Sequence, residues 1–218
     1  MKKLFLAAGI MIITGAVIST TAYFSGAGKS NTPIEYKEEP IHAANICLNS
    51  KYTDILIIRG DELSIKYPYS DTASPIITND DNTFTAEFDN RTHSEIDLSI
   101  FSLNFNLNNE NHITLEIPES FNGSITINSS AGDLNASDVN CILNINIDMG
   151  DAYISNCSDT YAKLNTGDIS ASNISGNINF STELGDIKVS KCSGSIELLT
   201  DKGNIDLMNG DIQNSKCS

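Results

Sequence analysis

Tryptophan is absent from the 218 residues, histidine occurs 3 times, and lysine plus arginine number 13 against 28 aspartates and glutamates. Binding a phosphate backbone needs clustered Lys and Arg, so an evenly acidic chain argues against nucleic acid as a partner. Residues 31–218 hold 10 basic and 28 acidic residues, and 10 − 28 leaves −18. That surplus reads as a solvating surface that discourages edge-to-edge strand pairing. The five cysteines (Cys47, Cys141, Cys157, Cys192, Cys217) form no CxxC or other metal spacing, and their odd count indicates no disulfide framework. His42, His93 and His112 lie away from any carboxylate or cysteine at ligand spacing, and read as polar surface residues.

A long apolar run occurs once. Leu4 to Phe24 is 21 residues without a charge, preceded by Lys2-Lys3. It is long enough to span a bilayer, which takes about 20 residues, and longer than a typical signal-peptide core of about 7–15. Residues 1–24 are therefore expected as an N-terminal hydrophobic helix and membrane anchor, with a cleaved signal peptide as the alternative. Thr20-Thr21-Ala22 and Ser25-Gly26-Ala27 offer small-residue cleavage sites. No cysteine follows the run, which argues against a lipoprotein. In either case Lys2 and Lys3 stay inside and the remainder is exported. Gly26-Ala27-Gly28-Lys29-Ser30 approaches a phosphate-binding loop, but Tyr23 stands where that pattern needs glycine and no strand precedes it. Residues 25–40 read as a polar linker ending in Glu38-Glu39-Pro40.

From Ile41 to Pro118 alternating segments predict strands at Asp54–Ile58, Glu62–Tyr67, Thr83–Phe88, Ile100–Leu107 and His112–Ile117. Asp61, Pro68, Asn79-Asp80-Asp81 and Asn108-Asn109 punctuate them. Arg59-Gly60-Asp61 matches an integrin-binding tripeptide, yet a Gly-Asp turn is what two flanking strands need there.

The rest of the chain is periodic. Gly132-Asp133-Leu134, Gly150-Asp151-Ala152, Gly167-Asp168-Ile169, Gly185-Asp186-Ile187 and Gly203-Asn204-Ile205 recur at steps of 18, 17, 18 and 18 residues. Gly123-Ser124-Ile125, Gly176-Asn177-Ile178 and Gly194-Ser195-Ile196 each precede one of these by 9 residues. With the opening glycine as position 1, positions 3 and 5 are mostly aliphatic or Ala, while positions 4 and 6 are mostly polar. That alternation is a short strand with one buried face. The half-units repeat it with Ile125/Ile127, Leu143/Ile145, Ile178/Phe180 and Ile196/Leu198. No unit shows helical periodicity. The predicted fold is all-β: a β-solenoid of about 18-residue two-strand coils over residues 123–210, preceded by an irregular β-rich portion. Position 8 (Val139, Cys157, Ile174, Cys192) is compact and apolar throughout, as an interior corner column would be. Cys157 and Cys192 fall two layers apart, about 9.6 Å at the layer spacing, beyond disulfide reach. Both are expected as buried free thiols.

Chemistry is offered by one column, Asp133, Asp151, Asp168 and Asp186, followed by Asn204. Stacked carboxylates about 5 Å apart repel by roughly 0.8 kcal/mol per pair in water, which calcium could relieve. Calcium-binding nonapeptide rolls, however, read Gly-Gly-x-Gly-x-Asp, and that triplet is missing. The aspartates are therefore expected to form turns by bonding to backbone two residues on, with a calcium ladder as the alternative. No nucleophile–base pair, paired-acid site or cofactor loop emerges, so no catalytic or cofactor-binding residue is expected.

The run Ile113-Thr114-Leu115-Glu116-Ile117-Pro118, then Ser124 to Leu134 and the Gly-Asp-Ile units, resembles the bacterial toast-rack family, also labelled putative adhesin. Cys47-Leu48-Asn49-Ser50 to Ile58, and Glu62-Leu63-Ser64-Ile65, resemble that family's opening strands. The resemblance spans residues 43–210, departing in the Asn-rich stretch 79–111 and in the missing glycines at Cys141 and near Asp159. It implies an all-β repeat domain outside the membrane, often tethered by one N-terminal helix, with some relatives beside Lia-type or phage-shock-type envelope stress systems. The function expected is a non-enzymatic interaction, adhesin-like or envelope-stress-sensing module of the cell membrane, its domain (41–218) outside. Its expected partner is an envelope protein or cell-wall polymer. The rivals are a carbohydrate-active β-helix enzyme, with acids and basic residues clustered in a groove, and a calcium-stabilised surface structural protein.

Overall fold

The computed structural model describes residues 35–69, 74–80, 82–89 and 112–208, and the backbone of 211–217. The expected helix at 1–24, the near phosphate loop at 26–30, His93 and the strand at 100–107 lie outside the described residues. Among those described, no helix is long and apolar enough to cross a membrane.

The fold is all-β. From Ser124 on, long and short strands alternate: β8 (Ser124–Ala131) and β9 (Leu134–Ser137), β10 (Ile142–Met149) and β11 (Ala152–Ser155), β12 (Thr160–Thr166) and β13 (Ile169–Ser172), β14 (Ile178–Leu184) and β15 (Ile187–Ser190), β16 (Ser193–Lys202) and β17 (Ile205–Met208), then β18 (Asp211–Cys217). Short strands pair in parallel with short, and long with long, one coil above the next. The two nine-stranded sheets run β1-β4-β7-β3-β9-β11-β13-β15-β17 and β18-β16-β14-β12-β10-β8-β2-β6-β5. Their first members are β1 (Glu35–Pro40), β2 (Asn45–Ser50), β3 (Asp54–Arg59), β4 (Ser64–Tyr69), β5 (Ile76–Asp80), β6 (Thr83–Phe88) and β7 (His112–Ile117).

These orders revise the sequence reading of residues 41–118 in two ways. The portion expected to be irregular supplies two further layers in parallel register, β2/β3 and β6/β7. Layer order also departs from chain order, because β2/β3 lies between β6/β7 and β8/β9. Beyond β6/β7 the pairing turns antiparallel: β4 crosses β7, β1 crosses β4, and β5 crosses β6. The segment expected as linker thus enters the sheet at Glu35. Pro68, expected as punctuation, sits inside β4 opposite Tyr36; β7 pairs only with Ser64–Lys66, so proline's missing N–H costs no bond on that side.

Alternation gives the core. In the long-strand sheet Phe84, Ile46, Ile125, Leu143, Thr160, Ile178 and Ile196 form one inward column in register, and Ala86, Leu48, Ile127, Ile145, Ala162, Phe180 and Leu198 the next. All are buried. Facing them are Ile113, Ile55, Leu134, Ala152, Ile169 and Ile187, and then Leu115, Ile57, Ala136, Ile154, Ala171 and Val189. Each fully buried Ile or Leu contributes about 1.5–3 kcal/mol, more than a typical net hydrogen bond, so hydrophobic columns dominate cohesion. Thr160 is tolerated among them because its hydroxyl donates to the Ser158 carbonyl at 2.9 Å. Val139, Cys157, Ile174 and Cys192 are buried, as a corner column requires, and both cysteines are free.

One corner needs left-handed backbone at position 7, where Asp138, Asn156, Asn173 and Lys191 have φ of 60, 53, 55 and 53°. Asn156 Nδ2 donates to Asp138 Oδ1 (2.9 Å) and Asn173 Nδ2 to Asn156 Oδ1 (3.1 Å), a ladder that Lys191 ends. Lysine gains no local bond there and bears a left-handed cost of about 1–2 kcal/mol that asparagine partly avoids. Lys191→Asn is therefore expected to raise the melting temperature by about 2–4 °C, measured by circular dichroism.

Candidate functional site

The Gly-Asp corner explains why the phrase recurs. Gly132, Gly150, Gly167 and Gly185 have φ of 129, 146, 141 and 155°. A Cβ on Gly150, Gly167 or Gly185 would overlap the carbonyl of the glycine one layer earlier. The aspartate then bonds across the layers. Asp151 N–H donates to Asp133 Oδ1, Asp168 N–H to Asp151 Oδ1, Asp186 N–H to Asp168 Oδ1 and Asn204 N–H to Asp186 Oδ1, each at 2.8 Å. The column begins earlier than expected, since Asp133 N–H donates to Asp54 Oδ1 at 2.9 Å. In return each Asp carbonyl accepts the N–H of position 3 one layer back, as Leu134 to Asp151 and Ala152 to Asp168 at 2.9 Å. The expected bond to backbone two residues on is thus replaced by an inter-coil bond, because strand spacing brings the next N–H to the carboxylate.

The four sequence-predicted aspartates are therefore together, with one oxygen of each engaged by a peptide N–H. Among the described residues no group of three or more His, Cys, Asp or Glu side chains gathers as a metal cluster would. Burial pushes the Asp133 carboxyl above its usual range; the Asp151 N–H pulls it down, and the charges of Asp54 and Asp151 add to the rise. A raised folded-state value means the charged form costs stability at neutral pH. That cost disappears as pH falls through the folded value toward the unfolded one. Asp133→Asn keeps an oxygen acceptor and removes the charge. It is expected to match or exceed wild-type stability at pH 7 and to lose that advantage in acid, as urea denaturation across pH would show.

Among the described residues, Cys141, Cys157 and Cys192 are buried thiols. Burial pushes Cys141 up to about 12 and Cys157 to about 11, and Cys157 and Cys192 Sγ donate to the carbonyls of Ser155 and Ser190 at 3.2 Å. In the Arg-Gly-Asp tripeptide, Arg59 is turned back on its own fold, its Nε donating to the Asp138 carbonyl at 3.2 Å.

Two outer surfaces carry concave features. On the long-strand sheet a groove of about 560 Å³ is lined by Asn49, Asn128 and Asn146, with Glu87, Asp89, Asp148, Lys51 and Ile76 around them. Asn128 Nδ2 donates to Asn49 Oδ1 (2.9 Å) and Asn146 Nδ2 to Asn128 Oδ1 (3.0 Å), so the amides are fixed at the layer spacing. Lys51 pairs with Asp89 at 2.8 Å, and Asn165 Nδ2 donates to Asp148 Oδ1 at 2.9 Å. On the short-strand sheet a trough of about 380 Å³ runs between Tyr153, Lys188 and Met208, floored by Ser155, Ser170, Ser172 and Ser190. Neither was singled out from sequence. The alternating polar positions signal the faces, but only strand register shows which side chains become neighbours.

An all-β domain of in-register coils, with a Gly-Asp or Gly-Asn corner in each regular repeat and polar ladders outside, defines the class. The family model described as Toastrack DUF4097 matches residues 43–217, and the chain belongs to that family. No curated protein matches. Three solved structures are similar at 14 % identity. One is a putative cell adhesion protein from Clostridium sporogenes (85 % of this chain, 100 % of that one, TM-score 0.35). The others are putative adhesins from Bacteroides fragilis (86 % and 98 %, TM-score 0.42) and Parabacteroides merdae (86 % and 95 %, TM-score 0.27).

Proposed function

We propose that this chain is an exported β-solenoid held by an N-terminal membrane anchor, its domain outside, acting as a non-enzymatic, adhesin-like module that binds a cell-envelope polymer. The observation that carries this reading is the repetition of outward polar side chains at one layer spacing on both sheets, Asn49–Asn128–Asn146 on the long-strand sheet and Ser137–Ser155–Ser172–Ser190 on the short-strand sheet. A rigid array of this kind presents hydrogen-bonding groups with little ordering cost when an extended partner binds. The uncharged run Leu4–Phe24 behind Lys2-Lys3 supports the anchor. Full-length protein in mild detergent is expected to co-sediment with isolated cell-wall polymer. A pellet free of protein would overturn the reading.

A second reading, a carbohydrate-active enzyme, is favoured by Glu87, Asp89, Asp148 and Lys51 around the long-strand groove. It requires turnover on a polysaccharide panel that is lost in Glu87→Gln or Asp148→Asn.

A further inference from the structure

We infer that the short-strand trough is the polymer-binding site, and that it takes a neutral, extended β-linked glycan lying across the coils with one ring on Tyr153. This rests on the polymer-binding function proposed above and adds its site and ligand class.

Register builds the trough. Asn135, Tyr153, Ser170, Lys188 and Asp206 form one outward column, and Ser137, Ser155, Ser172, Ser190 and Met208 the column beside it. Tall side chains at Tyr153, Lys188 and Met208 stand over the small serines, so the relief is a channel rather than a flat face. Tyr153 is 40 % exposed, and its hydroxyl donates to Asp151 Oδ2 at 3.3 Å. The ring is thereby tethered to the rigid Gly-Asp corner, while still offering surface to a ligand.

The chemistry selects among partners. An exposed aromatic face suits the apolar C–H face of a pyranose. Serine hydroxyls and the Asn135 amide both donate and accept, the capacity needed to match sugar hydroxyls. Polyanions are disfavoured: among the described residues Lys188 is the single cation lining the trough, and Asp151, Asp168 and Asp186 run along the adjoining corner. A peptide strand adding to the sheet would need an edge, and β11, β13 and β15 are each paired on both sides. The volume, about 380 Å³, lies within the range of about 300–1,000 Å³ usual for small-ligand sites.

A matched control exists on the other sheet. Tyr161 is 39 % exposed, sits between Asn144 and Asn179 in register, and lines neither concave feature. Full-length wild type, Tyr153→Ala, Tyr153→Phe and Tyr161→Ala would be titrated with chitohexaose and sedimented with cell-wall polymer. Tyr153→Ala is expected to bind about ten-fold more weakly, at an unchanged melting temperature. Tyr153→Phe and Tyr161→Ala are expected to stay within about two-fold of wild type. Wild-type sedimentation with unaltered binding by Tyr153→Ala would overturn the site and leave the polymer-binding function standing. Wall binding without chitohexaose binding would overturn the ligand class. Absence of both would remove site and function together.

Discussion

Gly167→Ala is expected to cost more than about 4 kcal/mol in urea denaturation, or to prevent folding, although it adds one methyl group. Gly167 has φ of 141°, where an L side chain is strained. The new methyl would also overlap the Gly150 carbonyl oxygen and carbon. Neither layer can retreat cheaply. Gly150 N–H donates to the Thr166 carbonyl at 3.0 Å, Gly167 N–H to the Leu184 carbonyl at 2.9 Å, and Thr182 Oγ1 to the Gly167 carbonyl at 3.0 Å. Relief at the corner would therefore break bonds in two layers. An equilibrium cost below about 1 kcal/mol would show that the corner is softer than its geometry implies.

Phe180→Ala is expected to cost about 3–5 kcal/mol, and Phe180→Leu considerably less. Phe180 has 0 % exposure and lies in register between Ala162 and Leu198, while the coil below carries Ala162 and Ala171 at its two facing positions. The ring thus occupies volume that the two alanines of the adjoining coil leave open. Truncation would leave two successive alanines in the column, with Ala171 facing them, and a cavity that neighbours cannot collapse to fill. Because each coil contacts mainly its neighbours, the damage should spread along one direction. Hydrogen exchange should report faster opening of Ile187 N–H, which donates to the Asn204 carbonyl, than of Leu134 N–H, which donates to the Asp151 carbonyl.

How far the sequence disclosed these parts depends on distance along the chain. Period and alternation expose the repeats from Ser124 on, since each coil's neighbours lie 17 or 18 residues away. The Asp54 layer was hidden because its partner Asp133 lies 79 residues further on. A trace existed, for Thr53-Asp54-Ile55 is Gly-Asp-Ile with its glycine replaced. Intercalation of β2/β3 between β6/β7 and β8/β9 leaves no local trace, because parallel pairing carries no turn that would fix its order. The left-handed corner was legible in principle from Asp138, Asn156 and Asn173, residues that tolerate that conformation, but Lys191 masks the column. The trough was illegible for another reason: serine and tyrosine alternate outward on any strand, and neighbourhood across strands follows only from register.

The central point is that the repeated aspartate is a structural tie between coils, and the most direct measurement is the melting temperature of Asp168→Asn and Asp168→Ala with EDTA or calcium. Alanine removes the oxygen that accepts the Asp186 N–H and should cost about 1–3 kcal/mol, a fall of several degrees. Asparagine keeps an acceptor and should stay near wild type, with EDTA and calcium changing none of the three. A calcium-dependent rise in wild-type melting temperature, with asparagine falling as far as alanine, would contradict this and make the column a metal ladder.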